Sequence, residues 1–597
     1  MGFFSDFREN WESVRGYQQI LGYTSSISPD SQTLITDDFE YAVDRYRHNA
    51  YCRFEGDVWS YDDLENFANR IAHWALEQGL KKGDAVALYM ENCPEYVGVW
   101  FGLSKIGVVS ALINNNLSDQ ALAHCVNIAN AKAVIAGKES VPGLNAAASL
   151  IDDAPSLWGL GLAPENGQNL SSALETQSTE RPDKSHRDGL KADALALYVY
   201  TSGTTGLPKA ARMTHARCQF MAKTFVKPTK CTQRDRVYIT LPLYHSTGGL
   251  CGVGATINAG ACIILRRKFS ASQFWQQATE EKATIIVYIG ELCRYLVNQE
   301  PGDFDKAHTV RAGFGNGLRP DIWQKFLDRF GIKKLVEFYG STEGNVSFLN
   351  VNGKVGAVGH IPKLMESKVA HIRFVKFDVE SEMPVRNEAG FCVEAEPGEP
   401  AEAIGQLGDQ ARSSFEGYND PEATKKKILK DVFETGDMWF RTGDLLRKDE
   451  QGYIYFVDRI GDTFRWKGEN VSTNEVGGVL SDHPNIELAN VYGVPIPGMD
   501  GKAGMAAITL SGDIDFDELR DWIGEQLPRY AVPLFIRVQP EAETTGTMKY
   551  RKVDLVKDGF NPATASDPIW FLHPEAGQYR PLTNDDYETI ISGGFRF

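Results

Sequence analysis

The stretch that decides the fold is LALYVYTSGTTGLPK, residues Leu195–Lys209. Its apolar run, Ala194–Tyr200, predicts a buried strand. Six hydroxyl or glycine residues follow at Thr201–Gly206, before Pro208 and Lys209. Glycines let backbone N–H groups approach a polyphosphate, hydroxyls donate further hydrogen bonds, and the lysine adds positive charge. A strand that runs into such a loop predicts a phosphate-binding site.

The loop is not a Walker A motif, because that pattern needs glycine five residues after Gly203 and this chain has Pro208 there. The competing interpretation is a flexible surface turn rich in serine, threonine and glycine. A flexible turn does not require the whole string TSGTTGLPK, so phosphate binding is favoured.

Helical patterns alternate with short β-branched runs before and after this loop. The first examples are Tyr61–Gln78 (helix), Ala85–Tyr89 (strand), Glu95–Lys105 (helix) and Val108–Ile113 (strand). This alternation predicts an α/β fold, with mostly parallel sheets flanked by helices in a large N-terminal domain.

The pattern changes around Ile361–Leu407, where prolines and glycines break the chain into short strands. We expect a small antiparallel β unit near residues 356–457. Strands at Tyr453–Val457 and Ala489–Val494 and an amphipathic helix at Phe516–Gln526 predict a smaller α+β domain. The predicted domains are therefore residues 1–457 and 463–597, joined at Asp458–Asp462.

Composition excludes several classes of protein. The 597 residues carry 62 basic and 79 acidic side chains, a formal charge of −17. With 42% hydrophobic and 24% charged residues the chain is typical of globular proteins, neither disordered nor fibrous. The charge argues against nucleic acid or an anionic membrane as the main partner. Nine cysteines without a C-x-x-C pair give no zinc-ribbon pattern and indicate reduced, mostly buried thiols.

The N-terminal residues contain charges every few positions and no apolar run long enough for a signal peptide. Asp6 occupies the position where a myristoylation signal needs serine or threonine. The stretch nearest to a membrane span, Val97–Ile113, contains Lys105 and fits better as a buried helix leading into a strand. We expect a cytoplasmic chain, and peripheral contact with the inner face of a membrane stays open.

Further motifs appear in a fixed order after the loop. They are LPLYHSTGG (Leu241–Gly249), GFGNGL (Gly313–Leu318), FYGSTEGN (Phe338–Asn345), RTGDL (Arg441–Leu445), DRIGDTFRWKGENVS (Asp458–Ser472) and TTGTMKYRK (Thr544–Lys552). Together with the loop they resemble the adenylate-forming (AMP-binding) superfamily of acyl-CoA synthetases and luciferases. The strings GNGLRPDIW and DTFRWKGENVSTNEV are similar to the fatty-acid transport protein branch, the very-long-chain acyl-CoA synthetases. Ala210 and Gly461 depart from the residues common elsewhere in the superfamily.

The resemblance implies a ligase with ATP, Mg²⁺ and coenzyme A. A carboxylate attacks the α-phosphate of ATP to give acyl-AMP and pyrophosphate, and the thiol of CoA then displaces AMP. The carboxylate is already ionised at neutral pH, so the first half needs charge neutralisation and in-line placement rather than a general base. The expected substrate is a long- or very-long-chain fatty acid.

The resemblance also assigns roles to individual residues. Lys549 bridges the acyl carboxylate and the α-phosphate, Glu343 binds Mg²⁺, and Thr342 contacts phosphate. His245 lies beside the substrate carboxylate or gates the acyl tunnel, or else is a satisfied core residue. The implied nucleotide and CoA contacts are Thr201, Ser202, Gly203, Thr204, Thr205, Gly206, Lys209, Gly315, Asn316, Gly317, Tyr339, Asp444, Arg459, Lys467, Gly468 and Glu469. Among these, Tyr339 stacks on adenine, Asp444 and Arg459 bind the ribose, and the last three line the CoA path.

The two half-reactions need different surroundings, which predicts that the C-terminal domain is mobile and that residues 458–462 form its hinge. Five glycines within Gly248–Gly260 suit either an acyl tunnel or tight helix contacts. The acid could instead be bile-acid-like, a sterol side chain or carnitine-type, and a lipid-uptake protein with secondary ligation is a further alternative. Loading of a carrier protein has no support in the chain, and a homodimer stays open.

Overall fold

The structure is a computed structural model that describes residues 3–201, 207–408, 415–499, 501–540 and 552–597. It forms two compact units. Unit 1 is Met1–His371, Gly405–Lys430 and Met438–Phe440, and unit 2 is Ile372–Ile404, Asp431–Asp437 and Arg441–Phe597. The predicted junction at residues 458–462 lies inside unit 2, and its role as a hinge between domains stays a prediction.

The helices are α1 (Phe3–Tyr23), α2 (Ile35–Tyr46), α3 (Tyr61–Glu77), α4 (Pro94–Lys105), α5 (Asp119–Ile128), α6 (Val141–Ala147), α7 (Leu170–Glu175), α8 (His215–Thr224), α9 (Gly254–Ala259), α10 (Phe274–Glu280), α11 (Gly290–Val297), α12 (Pro320–Phe330), α13 (Pro421–Lys425), α14 (Thr473–Ser481), α15 (Phe516–Gln526), α16 (Val553–Asp558) and α17 (Asn584–Ile591).

The strands are β1 (Ala50–Phe54), β2 (Asp57–Ser60), β3 (Ala85–Tyr89), β4 (Val109–Leu112), β5 (Ala131–Gly137), β6 (Ser156–Leu160), β7 (Gln168–Asn169), β8 (Leu195–Thr201), β9 (Lys209–Thr214), β10 (Arg236–Ile239), β11 (Cys262–Leu265), β12 (Ile285–Ile289), β13 (Ala312–Asn316), β14 (Leu335–Gly340), β15 (Ser347–Asn350), β16 (Gly359–His360), β17 (Ile372–Asp378), β18 (Met383–Pro384), β19 (Pro400–Gln406), β20 (Ile428–Lys430), β21 (Met438–Lys448), β22 (Tyr453–Arg459), β23 (Phe464–Trp466), β24 (Glu469–Val471), β25 (Ile486–Pro495), β26 (Lys502–Leu510), β27 (Phe535–Gln539), β28 (Ile569–Leu572) and β29 (Tyr579–Pro581).

Unit 1 is built on two mostly parallel sheets. One has the order β7-β6-β5-β3-β4-β8-β9, in which only the β8–β9 pair is antiparallel. The other has the order β15-β14-β13-β12-β10-β11-β1-β2, with antiparallel pairs at its two edges. The predicted parallel sheets with flanking helices are confirmed. In such sheets ligands bind outside the carboxyl ends of the strands.

Helices α3 and α4 show why these elements form. The Ser60 side chain caps α3 by accepting a hydrogen bond from the Asp63 backbone, and the Asp63 carboxylate accepts from the Ser60 N–H. At Gly102 the two helices approach so closely that a Cβ atom there would lie 2.5 Å from the Ala68 carbonyl oxygen. Helix α4 is buried along its length, which confirms the expected buried helix. Within the described residues no helix is long and apolar enough to cross a membrane.

Unit 2 has its own core beneath a five-stranded sheet of order β25-β26-β27-β28-β29, against which α14 and α15 place apolar side chains such as Val476, Leu480, Leu519 and Ile523. The earlier strands of this unit have the order β22-β21-β19-β17-β18. The hairpin of β17 and β18 is antiparallel, as predicted for this part of the chain. All nine cysteines are free thiols, and all except Cys93 are buried.

Candidate active site

The phosphate loop leaves the first sheet of unit 1 at its antiparallel pair. Strand β8 ends at Thr201, and Lys209 begins β9 directly opposite it in register. The Pro208 carbonyl oxygen lies 3.0 Å from Nε2 of His124, which ties the end of the loop to α5. Thr201 and Lys209 are thus adjacent where the loop leaves and rejoins the sheet, and their contact with phosphate stays a prediction. The predicted phosphate contacts Ser202, Gly203, Thr204, Thr205 and Gly206 lie outside the described residues.

The turn after β14 carries Thr342 and Glu343, and its backbone carbonyls accept hydrogen bonds from Arg217. The Arg217 Nε atom donates to the Thr342 carbonyl at 2.7 Å, and Nη2 donates to the Ser341 carbonyl at 3.1 Å and to that of Gly344. Burial lowers the pKa of the Arg217 guanidinium, while the charge of Glu343 acts in the opposite direction. One guanidinium thus fixes three carbonyls of a single turn.

Glu343 is 8% exposed, and its carboxylate meets a residue from a distant part of unit 1. The Tyr418 hydroxyl donates to Oε1 of Glu343 at 2.7 Å. The ring of the same tyrosine has Nζ of Lys209 5.8 Å from its centroid. Burial, together with the nearby carboxylate, raises the pKa of Tyr418 well above its ordinary value, so the hydroxyl stays a donor at physiological pH.

Two hydroxyl contacts join the motifs around this turn. The hydroxyls of Thr342 and Ser246 are 3.1 Å apart, and the Thr247 hydroxyl donates to Oδ1 of Asn316 at 3.2 Å. Ser246 and Thr247 follow β10, and Asn316 ends β13. The carboxyl ends of three parallel strands in one sheet therefore contribute to a single edge of unit 1.

We call residues Gly315–Gly317 the glycine wall. Glycine is required at its two ends, by a close backbone approach at Gly315 and by a positive φ at Gly317. A Cβ atom on Gly315 would lie 2.1 Å from the Tyr288 carbonyl oxygen, and Gly317 has a φ of +78°. The wall rests on Glu337, which is fully buried: Oε1 accepts from the Leu318 N–H at 2.9 Å. Burial raises the pKa of Glu337 to about 8, against the opposing effect of its hydrogen bonds.

Tyr339, the predicted adenine-stacking residue, lies near the end of β14 with its ring stacked on Phe348 at 5.7 Å between centroids. His245 is half-buried, and its backbone N–H donates to the Pro242 carbonyl at 3.2 Å. It lies next to Ser246, beside the Thr342 hydroxyl. Whether it orients the substrate, gates a tunnel or fills the core stays a prediction.

The glycines of Gly248–Gly260 are explained by close contacts. A Cβ atom would lie 2.1 Å from the Leu243 carbonyl oxygen at Gly249 and 2.4 Å from the Ala222 Cβ at Gly254. Of the two interpretations, tight contact of the π-helix Thr247–Val253 and α9 with their neighbours accounts for these residues.

In unit 2, the predicted ribose pair is brought together across two strands. Asp444 on β21 and Arg459 on β22 are register partners, with Nε of Arg459 3.7 Å from Oδ1 of Asp444. Arg459 is about half exposed (52%), so its guanidinium is accessible.

The predicted CoA-path residues form the tip of the β23–β24 hairpin. Lys467 and Gly468 have φ values of +52° and +83°, the pattern of a two-residue hairpin turn, and Glu469 begins β24. Burial lowers the pKa of Lys467, and Arg529 acts in the same direction. The predicted catalytic residue Lys549 lies outside the described residues.

Arg217 and Tyr418 were not predicted from the sequence. Arg217 donates to backbone carbonyls, which every residue has, so the sequence contains no signal for these contacts. Tyr418 meets Glu343 from 75 positions away, although the string GYNDPEAT that contains it (residues 417–424) has a recognisable helix start. In that start Asp420 caps α13 and Pro421 opens it.

The residues present fit a magnesium ion held together with substrate phosphates. Within the described residues no group of three or more histidine, cysteine or acidic side chains could hold a metal. The turn offers one carboxylate, from Glu343, beside the Thr342 and Ser246 hydroxyls. A single carboxylate completed by phosphate oxygens and water is the usual arrangement for Mg²⁺.

A cavity of about 570 Å³ elsewhere in unit 1 contains none of the predicted site residues; its wall includes Phe54, Met90 and Arg267. Arg267 is already paired with Glu55 at 2.6 Å and with Glu139 at 3.3 Å. We therefore take the Glu343 turn, and not this cavity, as the candidate active site.

Two family models match the chain. That of the AMP-binding enzyme covers residues 39–391, and that of the AMP-binding enzyme C-terminal domain covers residues 475–549. Long-chain fatty acid transport protein 6 of Mus musculus is 42% identical over 563 residues, which are 94% of this chain and 90% of the relative.

Solved structures share the fold at lower identity. The anthranilate CoA ligase AuaEII, solved in complex with anthranoyl-AMP, matches with a TM-score of 0.74 and 20% identity over 88% of this chain and 96% of its own. A Mycobacterium tuberculosis fatty acyl CoA synthetase matches with a TM-score of 0.62 and 23% identity over 88% and 98%. These matches confirm the predicted adenylate-forming fold. Since a family model covers more than half of the residues and a curated relative aligns over nearly all of them, the chain belongs to the AMP-binding enzyme family, on the branch of the long-chain fatty acid transport proteins.

Proposed function

We propose that this protein is an AMP-forming ligase that joins a long- or very-long-chain fatty acid to coenzyme A through an acyl-AMP intermediate. The observation that carries the proposal is that Tyr418 joins Lys209, which begins β9 opposite the end of β8, to Glu343 in the turn that also carries Thr342. These are the groups a polyphosphate needs: a cation, a hydroxyl and a carboxylate that can hold a divalent ion. The acyl specificity is carried over from the names of the relatives.

In the first half-reaction a carboxylate oxygen of the fatty acid bonds to the α-phosphorus, and the bond from that phosphorus to the bridging oxygen breaks. Pyrophosphate leaves with the electron pair. Magnesium, when bound at Glu343, neutralises phosphate charge. Lys209 and the Thr342 hydroxyl bind the phosphates, Tyr339 and the Gly315–Gly317 wall bind adenine, and Lys549 stabilises charge on the reacting oxygens.

In the second half-reaction the CoA sulfur bonds to the acyl carbon, AMP leaves and the thiol proton passes to solvent. Asp444 and Arg459 hold the ribose hydroxyls, because a carboxylate accepts and a guanidinium donates the hydrogen bonds that a diol requires. Lys467, Gly468 and Glu469 line the path of CoA. The enzyme works as a cytoplasmic protein, with peripheral membrane contact and homodimer formation as further parts of the proposal.

A lipid-uptake role with ligation secondary is the second candidate, because the relatives are named for transport. A panel of carboxylic acids separates the two, with pyrophosphate release and acyl-CoA formation scored separately. The panel runs from short to very long chains and includes bile-acid-like and carnitine-type acids. We expect both products with long chains in a one-to-one ratio. Binding of long-chain acids without either product would refute the ligase proposal.

A further inference from the structure

The segment around Tyr418 is fixed to the strand that follows the phosphate loop. The Arg212 N–H donates to the Gly417 carbonyl and the Asn419 N–H to that of Ala210, both at 3.2 Å, and Tyr418 forms a β-bridge with Ala211. The segment thus extends the edge of β9 just after Lys209.

Further contacts fix the tyrosine itself. The Tyr418 N–H donates to the Thr424 hydroxyl at 3.0 Å, and that hydroxyl lies 3.3 Å from the Tyr418 carbonyl oxygen. The Asn419 side chain donates to the Ile128 carbonyl at 2.7 Å. The backbone of Tyr418 is therefore anchored on several sides, and its side chain is half-buried. Such a side chain loses little further freedom when it makes a directed contact.

The contacts of the side chain all belong to the proposed nucleotide site. The hydroxyl donates to Oε1 of Glu343 at 2.7 Å, and Nζ of Lys209 lies over the ring, 5.8 Å from its centroid. A tyrosine that served only to fill space would not need to donate a hydrogen bond from its hydroxyl to Glu343, the carboxylate proposed to hold the metal. The geometry joins the end of the phosphate loop to the acidic turn through one side chain.

We propose that Tyr418 is a positioning residue that orients the Glu343 carboxylate for a divalent cation and holds Lys209 at the phosphates. This inference rests on the proposed function, since it assigns Glu343 to the metal bound with ATP. The hydroxyl occupies Oε1, which limits the rotation of the carboxylate that would bind the cation. The ring places its negative face against the Lys209 ammonium.

The test is Tyr418→Phe, which keeps the ring and removes the hydroxyl. The binding probe is Mn²⁺ with α,β-methylene-ATP, which cannot be cleaved, and free Mn²⁺ is measured by electron paramagnetic resonance. Loss of a hydrogen bond to a charged group weakens binding by about tenfold. We therefore expect the Kd of Mn²⁺ to rise about tenfold, with a matching rise in the Mg²⁺ concentration needed for half-maximal pyrophosphate release and no change in KM for the fatty acid.

Tyr455→Phe is the matched control, because its hydroxyl also binds a carboxylate, Oδ2 of Asp449 at 3.2 Å, within unit 2. It should bind Mn²⁺ like the parent. In a Glu343→Gln background, Tyr418→Phe should have no further effect on Mn²⁺ binding, because residues that act through one contact are non-additive. This cycle separates positioning of Glu343 from a general loss of structure.

An unchanged Mn²⁺ Kd in Tyr418→Phe, or additive effects in the double variant, would overturn the inference and leave the ligase proposal intact. Normal Mn²⁺–nucleotide binding by the parent, with its expected weakening in Tyr418→Phe, would support the inference even if no acid in the panel gave acyl-CoA. The two proposals thus fail independently.

Discussion

Replacing Glu337 by glutamine tests the burial that the structure assigns to the base of the glycine wall. Glu337 is fully buried, with the Leu318 N–H donating to Oε1 at 2.9 Å and the Tyr288 hydroxyl to Oε2 at 2.7 Å. Its titratable neighbours are Tyr288 and Cys293, and burial raises the pKa of both well above their ordinary values. Both side chains therefore stay neutral, so the charge of this buried cluster depends only on whether Glu337 is protonated.

The sign of the effect follows from proton binding. Burial raises the pKa of Glu337 from 4.5 to about 8, so between those values the folded protein holds a proton that the unfolded chain lacks. The free energy of unfolding therefore falls as pH rises through this window and levels off above it. Each pH unit removes about 1.4 kcal/mol, with a ceiling of roughly 5 kcal/mol for the whole window.

Glutamine keeps the shape and the acceptor for the Leu318 N–H, and it is neutral at every pH. Glu337→Gln should therefore melt at nearly the parent temperature at pH 5 and higher by several degrees at pH 8.5. Differential scanning calorimetry of both proteins from pH 5 to pH 9 gives the comparison.

Glu402 supplies a control of opposite sign. It is equally buried, but Nη2 of Arg441 lies 2.8 Å from its carboxylate. Glu402→Gln removes the negative charge that is paired with the guanidinium and should lower the melting temperature at pH 7, since breaking a buried ion pair costs about 3–5 kcal/mol. Parallel pH profiles for the parent and Glu337→Gln would refute the reasoning on Glu337.

Two further predictions concern the half-reactions. Lys549→Ala should lower acyl-AMP formation by ~10²–10³-fold while CoA transfer from supplied acyl-AMP stays largely intact, because the proposed contact exists only in the first transition state; equal loss of both steps in single-turnover assays would contradict this. Gly461 has a φ of +92°, which proline cannot adopt. Gly461→Pro should therefore suppress the half-reaction that needs residues 458–462 in this conformation, and it should spare the other half-reaction. A folded Gly461→Pro enzyme that completes both at the parent rate would exclude the hinge.

The local elements could be predicted where the pattern was unbroken and its ends were marked. The strand Ala85–Tyr89 and the helix Phe516–Gln526 have their predicted bounds, because a continuous apolar run defines the first and the Asp515 cap begins the second. The strand before the phosphate loop differs by one residue at each end, where pairing with β9 rather than apolar character sets the limit.

The candidate site was predicted only in part, because motifs reveal residue types and not the contacts between distant segments. The link from Lys209 through Tyr418 to Glu343 joins the phosphate-loop end of one sheet to the turn after β14 in the other. The burial of Glu337 could not be read from the string LVEFYG, in which a charged residue between apolar ones is typical of a solvent-facing position. Its register partner Gly315 has no side chain, and the space this leaves exists only once β13 and β14 are paired.

The way Arg217 holds its turn also bears on how an acidic turn could bind the polyphosphate that the proposed function requires. The carbonyls of Ser341 and Thr342 point at the guanidinium. In a trans peptide the N–H points opposite to the carbonyl, so the N–H groups of Thr342 and Glu343 are directed away from Arg217. The positive charge behind the turn polarises these peptides, and the opposite face presents donors beside the Glu343 carboxylate. Under the proposed function, donors for phosphate oxygens and a ligand for the accompanying cation would therefore lie side by side, so that a single turn would bind both components of a metal–nucleotide complex.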